Sequence, residues 1–186
     1  MKVINLFGAP GSGKSTLRAG LFYQMKMAGY NVEEVTEYAK DMVWEERFNV
    51  FSDQIYILGK QNRRLLRLTN KVNYVLTDSP VLMGIAYMVD TPYHDTLRQL
   101  IADVFLSYNN LNIFINRSHA YQEIGRNQTA DESDVLAEQI KGLLREFNVP
   151  FIEINSSEAT PEMLLNLVES HDAGAKAAHL LNEIFT

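Results

Sequence analysis

The sequence of 186 residues contains no cysteine, which excludes disulfide bonds and cysteine-ligated zinc or iron–sulfur sites. Its apolar runs are far shorter than the ~20 residues that a membrane-spanning helix needs, so no membrane partner is expected. The amino terminus lacks the apolar stretch of a signal peptide, which makes a cytoplasmic location the expectation. Positive charge is scarce, with 17 Lys and Arg against 23 Asp and Glu, so broad binding to nucleic acid is not expected.

What the chain does contain is an ordinary globular composition, 46% apolar and 22% charged, in a length typical of one domain. Strand-length apolar runs alternate with segments of helical period, and we predict a single domain over residues 1–186. The alternation predicts an α/β three-layer sandwich, in which helices cover both faces of a five-stranded parallel sheet. The predicted strands are Val3–Phe7, Asn31–Thr36, Tyr74–Thr77, Leu111–Asn116 and Val149–Ile154.

The segments between these strands carry signals for helix starts. Thr129 and Glu132 have the spacing of a capping box, and Thr91 and Thr160 each precede a proline. The predicted helices are Ser15–Ala28, Tyr38–Arg47, one from a cap at Ser52 to about Leu68, one from Thr91 to about Tyr108, one from Thr129 to Phe147, and a last region from Thr160 that Gly174 breaks in two.

Because ligands of parallel sheets bind beyond the carboxyl ends of the strands, residues that directly follow a strand are the first candidates for function.

The segment after the first predicted strand matches the phosphate-loop pattern G-x-x-x-x-G-K-[ST] in full. Its glycines let the backbone curl until several N–H groups point at phosphate oxygens, and the following helix adds its positive end. Lys14 would reach the β- and γ-phosphates, and the Ser15 hydroxyl would ligate Mg²⁺. ATP and Mg²⁺ are therefore the expected cofactors, with another triphosphate left open. The predicted nucleotide-binding residues are Gly8, Ala9, Pro10, Gly11, Ser12, Gly13, Lys14, Ser15 and Thr16.

Asp78 ends the third predicted strand, as the acidic residue of a Walker B element does, and would hold Mg²⁺ beside Ser15.

A signalling GTPase needs an Asn-Lys-x-Asp motif, and the near match at 70–73 lacks the aspartate. The chain is too short for the helical lid domain of large oligomeric ATPases, which leaves the small kinases. These close an arginine-bearing lid over the phosphates, and Arg117 and Arg126 are the candidates in a lid over about 117–130. Either arginine could instead be a surface ion-pair partner.

The order of these motifs resembles a known family. Val-Thr-Glu-Tyr-Ala (35–39), a Gln-x-Tyr-x-Leu helix from 54, Thr-Asp-Ser-Pro (77–80) and Val-Pro-Phe-Ile-Glu-Ile (149–154) follow the glycine loop. This order is similar to the P-loop kinase family that includes the nicotinamide-riboside kinase domain of bacterial NAD regulators and many phage AAA-like ATPases. A more distant likeness is to the deoxyribonucleoside kinases. The resemblance covers roughly residues 3–169 and implies a P-loop kinase fold.

The resemblance also implies roles on the acceptor side. It places Glu37 against the acceptor hydroxyl as a base, although Asp78 competes for that role. Gln54 would read the edge of a base or a nicotinamide with its amide, unless it is simply a partly buried polar residue on an exposed helix face. Trp44 would stack on a planar ring, unless it is an ordinary core residue. Arg63 belongs to a basic stripe on the third helix that would favour an acceptor carrying phosphate, unless the stripe is simply solvated.

These observations predict an ATP-dependent phosphotransferase that moves the γ-phosphate to a nucleoside, nucleotide or nucleotide-like acceptor, with nucleotide metabolism of phage type as its setting. One variant would act on DNA, at a hydroxymethylated pyrimidine or a strand end. An alternative of another class is a nucleotide-dependent switch or binding module that hydrolyses ATP slowly. The sequence is compatible with a monomer or a homodimer.

Overall fold

A computed structural model of the chain describes residues 1–121 and 129–184, with 176–184 described by their backbone alone. The strands are β1 Lys2–Phe7, β2 Val32–Val35, β3 Tyr74–Thr77, β4 Asn109–Asn116 and β5 Ile152–Asn155. The α-helices are α1 Lys14–Met27, α2 Tyr38–Trp44, α3 Gln54–Leu66, α4 His94–Leu106, α5 Ala130–Glu146 and α6 Pro161–Ile184. Two 3₁₀ helices, Phe48–Ser52 and Val81–Tyr87, precede α3 and α4.

The five strands form one sheet in the order β2-β3-β1-β4-β5, and all four pairings are parallel. The central strand β1 is buried at every position, as expected for a sheet covered on both faces. Alternate residues of β1 enter two separate cores: Val3 and Phe7 pack with α3, α4 and α5, whereas Ile4 and Leu6 pack with α1 and α6. The predicted α/β three-layer sandwich is confirmed.

The capping signals were partly correct. The capping box is present, because the Thr129 hydroxyl accepts from the Glu132 N–H and the Glu132 carboxylate accepts from the Thr129 N–H. The predicted cap at Ser52 is wrong, because the Asp53 carboxylate accepts from the Tyr56 N–H and begins α3. Among the described residues, no helix is long and apolar enough to cross a membrane.

Two further boundaries differ from the prediction. The segment from Thr91 forms a turn, closed by the His94 N–H donating to the Thr91 carbonyl, and α4 begins only at His94. The predicted break at Gly174 is also wrong, since α6 runs through it. A glycine costs about 1 kcal/mol inside a helix, and here Ala173 and Ala175 flank it with the residue of highest helix propensity.

Candidate active site

The predicted site residues follow three neighbouring strands at one edge of the sheet. The phosphate loop leaves β1, Glu37 lies two residues after the end of β2, and Asp78 directly follows β3. Because β2, β3 and β1 are adjacent and parallel, their carboxyl ends lie side by side. The carboxyl group of Glu37 accordingly interacts electrostatically with both Lys14 and Asp78. The fold therefore brings together one cation and two carboxylates that lie far apart in the sequence.

The phosphate loop is shaped by glycines in the left-handed region. Gly8, Gly11 and Gly13 have φ angles of 143°, 81° and 89°. A Cβ on Gly8 would stand 2.6 Å from the carbonyl oxygen of Ile115 on β4, so the loop leaves the sheet where only glycine fits. Gly13 is the N-cap of α1, which places the first turn of that helix directly after the loop.

The side chains of the loop take different positions. The Lys14 ammonium donates to the carbonyl oxygen of Ala9 at 2.8 Å, so the lysine lies across the loop. Ser15 and Thr16 are exposed in the first turn of α1. The Ser12 hydroxyl is buried and makes no hydrogen bond to any described residue, although hydroxyls at such depth ordinarily have a partner. Backbone N–H groups, an ammonium and a hydroxyl are the donor set that phosphate groups require.

Ser133 is a buried residue whose role the sequence did not reveal. It lies in the first turn of α5 with no exposed surface, and its hydroxyl donates to the carbonyl oxygen of Pro10 at 2.8 Å. This bond connects α5 to the phosphate loop across 123 positions of sequence. No local pattern distinguishes such a serine from an ordinary residue of a first helical turn.

Asp78 is held by an arginine that was not predicted from the sequence. The Arg18 Nε atom lies 3.3 Å from Asp78 Oδ1, and the same guanidinium pairs with Glu34 on β2. Asp78 and Arg18 expose only 8% and 13% of their side chains. Arg18 lies one helical turn after Lys14, a spacing that could have drawn attention to it.

The oxygen donors near the loop suit a magnesium ion. Asp78 Oδ1 is buried and accepts no hydrogen bond from any described residue, and Ser15, the second residue of α1, is exposed. Mg²⁺ prefers one or two protein oxygens and completes its shell with phosphates and water, so these residues fit it. The described residues contain no group of three or more His, Asp or Glu side chains that could hold a metal without a nucleotide.

Glu37 lies between β2 and α2 and is half-buried. Burial raises the pKa of its carboxyl above the ordinary glutamate value, and repulsion from Asp78 adds to this, while Lys14 acts in the opposite direction. Burial and then the charge of Glu37 raise the pKa of Tyr87, at the end of the second 3₁₀ helix. No sequence pattern points to Tyr87, because a tyrosine at a helix end carries no distinctive signal.

The predicted acceptor-binding residues lie on α2 and α3. Gln54 is buried and donates to the carbonyl oxygen of Phe51 at 2.8 Å, while its Oε1 faces Gly84. Trp44 ends α2 with 74% of its surface exposed, which excludes the alternative that it is a core residue. Arg63 is exposed, and it is the next residue, Arg64, that points toward the end of β2.

Arg117 follows β4 as predicted, but the structure shows it in an ion pair. Its guanidinium donates to Asp134 Oδ1 at 2.5 Å and lies over the ring of Tyr121. The ion pair with Asp134 directs it toward α5, which agrees with the alternative of an ion-pair partner. The predicted lid falls partly outside the described residues, and Arg126 lies outside them.

Comparisons with known proteins agree with this architecture. A family model described as an AAA domain matches residues 3–160. The fold is similar to a deoxyadenosine kinase from M. mycoides, with 19% identity, a TM-score of 0.58 and coverage of 91% of this chain and 100% of that chain. It is also similar to a thymidylate kinase from Ehrlichia chaffeensis, with 15% identity, a TM-score of 0.56 and coverage of 83% and 86%.

A third similar structure is the NadR protein in complex with NR, with 19% identity and a TM-score of 0.64. That match covers 82% of this chain and 45% of the NadR chain. Identities this low show a shared fold. No curated protein sequence matches the chain.

Proposed function

The chain belongs to the AAA domain family and has the fold of nucleoside and nucleotide kinases, and on that premise we propose that it transfers the γ-phosphate of ATP to a nucleoside, nucleotide or nucleotide-like acceptor. The observation that carries this proposal is the convergence of Lys14, Glu37 and Asp78 beyond the ends of three adjacent strands. A phosphate-binding cation beside two carboxylates is what phosphoryl transfer to a hydroxyl requires. A module that only binds a nucleotide would need the phosphate loop, but it would not need the carboxylate of Glu37.

The donor side is supported by the phosphate loop. Its N–H groups and Lys14 would bind the β- and γ-phosphates of ATP, and the first turn of α1 adds a positive end. Ser15 and Asp78 would hold Mg²⁺, which neutralises phosphate charge when it is bound. The Ser133 bond to Pro10 would keep the loop in the shape that fits the phosphates.

On the acceptor side, Glu37 is the better candidate for the base. Burial raises its pKa toward the working pH, which is the direction that favours proton transfer from a hydroxyl. Asp78 already pairs with Arg18 and directly follows β3, where its buried Oδ1 atom is a candidate ligand for a metal beside the phosphate loop. We therefore assign proton acceptance to Glu37 and metal binding to Asp78.

Three further side chains are candidates to hold the acceptor. The charge of Glu37 contributes to the raised pKa of Tyr87, the Oε1 atom of Gln54 faces Gly84, and Trp44 presents an exposed ring at the end of α2. An amide, a phenol and an aromatic face can together bind a planar heterocycle and orient its sugar hydroxyl. This arrangement supports an acceptor of nucleoside type.

The test is the transfer of phosphate from γ-labelled ATP to a panel of nucleosides, mononucleotides, and DNA with and without hydroxymethylated pyrimidines. We expect labelling of at least one small acceptor, and a loss of about 10²- to 10⁴-fold in kcat for Glu37→Gln with ATP binding retained. Glu45→Gln is the matched control, since Glu45 is an exposed carboxylate at the other end of α2.

The panel separates the proposal from its alternatives. Labelling of DNA alone would favour the DNA kinase, with Arg63 and its basic neighbours as the surface to mutate next. Hydrolysis of ATP that labels no acceptor, and that Glu37→Gln leaves unchanged, would contradict the proposal and favour the nucleotide-dependent switch.

A further inference from the structure

Gln61 is a buried side chain in the middle of α3 whose amide has a partner for each of its polar atoms. Only 5% of the residue is exposed. Its Nε2 donates to the carbonyl oxygens of Thr36 and Ser79, at 3.3 and 3.2 Å. Its Oε1 accepts from the Tyr38 N–H at 3.0 Å. A buried amide that bonds only to backbone groups fixes the segments that carry those groups.

The three bonded backbone groups surround the two carboxylates of the site. Thr36 and Tyr38 are the residues on either side of Glu37, and Ser79 directly follows Asp78. One side chain of α3 thus joins the turn after β2 to the turn after β3. The Tyr38 N–H lies in the first turn of α2, where no earlier carbonyl of the helix can accept from it. Within the described chain Glu37 makes no side-chain cap, so Gln61 supplies that acceptor.

A second residue of α3 supports the same turn from outside. Arg64 donates to the carbonyl and hydroxyl oxygens of Thr36, both at 3.0 Å, and to Asp41 at 2.5 Å. Thr36 therefore keeps a partner if Gln61 is replaced, whereas the Tyr38 N–H does not. This difference identifies the Tyr38 end of the turn, next to Glu37, as the part that depends on Gln61.

We propose that Gln61 is a positioning residue that sets the location of Glu37 relative to Asp78 and the phosphate loop. The inference rests on the proposed function, because it concerns how the base of that reaction is held. A displacement of about 1 Å in a reacting group can cost about 10²-fold in rate, so a small shift of this turn would reduce transfer. Gln61 would act on the turnover step and not on nucleotide binding, because none of its bonds reaches the phosphate loop.

The test compares Gln61→Met with Gln99→Met. Methionine keeps the length of glutamine and removes its hydrogen bonds, and Gln99 is an exposed helical glutamine that serves as control. We expect Gln61→Met to lower kcat by about 10- to 100-fold, with little change in the KM for ATP. In a double-mutant cycle, the same change should cost little further activity once Glu37→Gln is present, since the two residues act as a unit.

A second measurement does not depend on activity. The exchange of the Tyr38 amide hydrogen should be faster by at least about 10-fold in Gln61→Met and unchanged in Gln99→Met. Gln61→Glu should keep the Tyr38 amide protected, because the carboxylate of the glutamate can still accept the hydrogen bond from the Tyr38 N–H. The same substitution removes the two hydrogen bonds that Gln61 Nε2 donates to Thr36 and Ser79. If Gln61→Met fails to fold, Gln61→Glu allows the kinetic cycle to be measured.

The outcomes separate this inference from the proposed function. Additive losses in the cycle, or unchanged exchange of Tyr38, would overturn the role of Gln61 even if the protein is a kinase. Absence of transfer to every acceptor would instead overturn the proposed function, and the exchange of Tyr38 would still report whether Gln61 holds the turn.

Discussion

Replacing Arg18 by methionine removes the cation that accompanies Asp78 in the interior of the protein. Asp78 Oδ1 is buried, lies 3.3 Å from Arg18 Nε, and accepts no hydrogen bond from the described residues. Removing one partner of a buried pair costs about 3–5 kcal/mol, because the other charge stays away from water. Glu34, which pairs with the same guanidinium, loses its partner as well. We therefore expect a loss in this range for Arg18→Met.

The loss can be measured by thermal unfolding followed by circular dichroism at neutral pH. For a chain of this size 1 kcal/mol corresponds to about 2–4 °C in Tm, so Arg18→Met should unfold about 6–20 °C below the parent. The matched control is Arg47→Met, because the Arg47–Glu45 pair has both side chains about half exposed. Exposed pairs contribute about 0–1 kcal/mol, which predicts a shift of at most a few degrees.

A second substitution tests the cause. If the unpaired charge is responsible, adding Asp78→Asn to Arg18→Met should recover more than half of the lost stability, because a neutral amide costs less to bury. Equal shifts for Arg18→Met and Arg47→Met would refute the reasoning, as would a double variant that is no more stable than Arg18→Met alone.

Two further predictions concern the loop and the base. Gly8→Ala should lower ATP affinity by at least about 10-fold in isothermal titration, because its Cβ would lie 2.6 Å from the Ile115 carbonyl oxygen at a φ of 143°. Gly142→Ala, in an exposed turn of α5 with open space, should keep that affinity, and a Gly8→Ala protein that binds ATP normally would contradict the loop geometry. Glu37→Gln should raise Tm at neutral pH. The pKa of Glu37 is raised by burial, so its ionisation costs stability as the pH rises through the unfolded and then the folded pKa. Below the ordinary glutamate pKa of about 4.3 both states are protonated and the gain should vanish; a gain of equal size there would contradict the assigned cause.

The layers of the fold could be predicted from the sequence because they follow local periodicity. The predicted strand Val3–Phe7 is apolar at nearly every position, as a strand buried on both faces must be. The observed strand β1 includes all of these residues. The errors occurred where competing local signals were close in energy. Ser52 and Asp53 can both cap a helix, and the structure uses the second. Gly174 lowers helix propensity by an amount that its alanine neighbours overcome.

The parts of the candidate site whose residues are neighbours in the sequence were the easiest to predict. The phosphate loop is one continuous segment whose glycines and lysine act together, so its pattern indicates its chemistry. The positions of Glu37 and Asp78 could be predicted because each comes after a strand, and parallel topology brings strand ends together. Trp44 illustrates the limit, because the sequence allowed a core or an exposed position and only the structure shows it 74% exposed.

By itself the sequence determined the phosphate loop, the parallel sheet and the two carboxylates at its edge, since periodicity and motif spacing are properties of neighbouring residues. Only the tertiary structure decided which side chains hold the phosphate loop and the two carboxylates in place. Arg18 reaches Asp78 across 60 positions, Ser133 reaches Pro10 across 123, and Gln61 reaches both turns at once. An arginine, a serine or a glutamine on a helix has no sequence pattern that names its partner, because that partner is chosen by how the helices pack on the sheet.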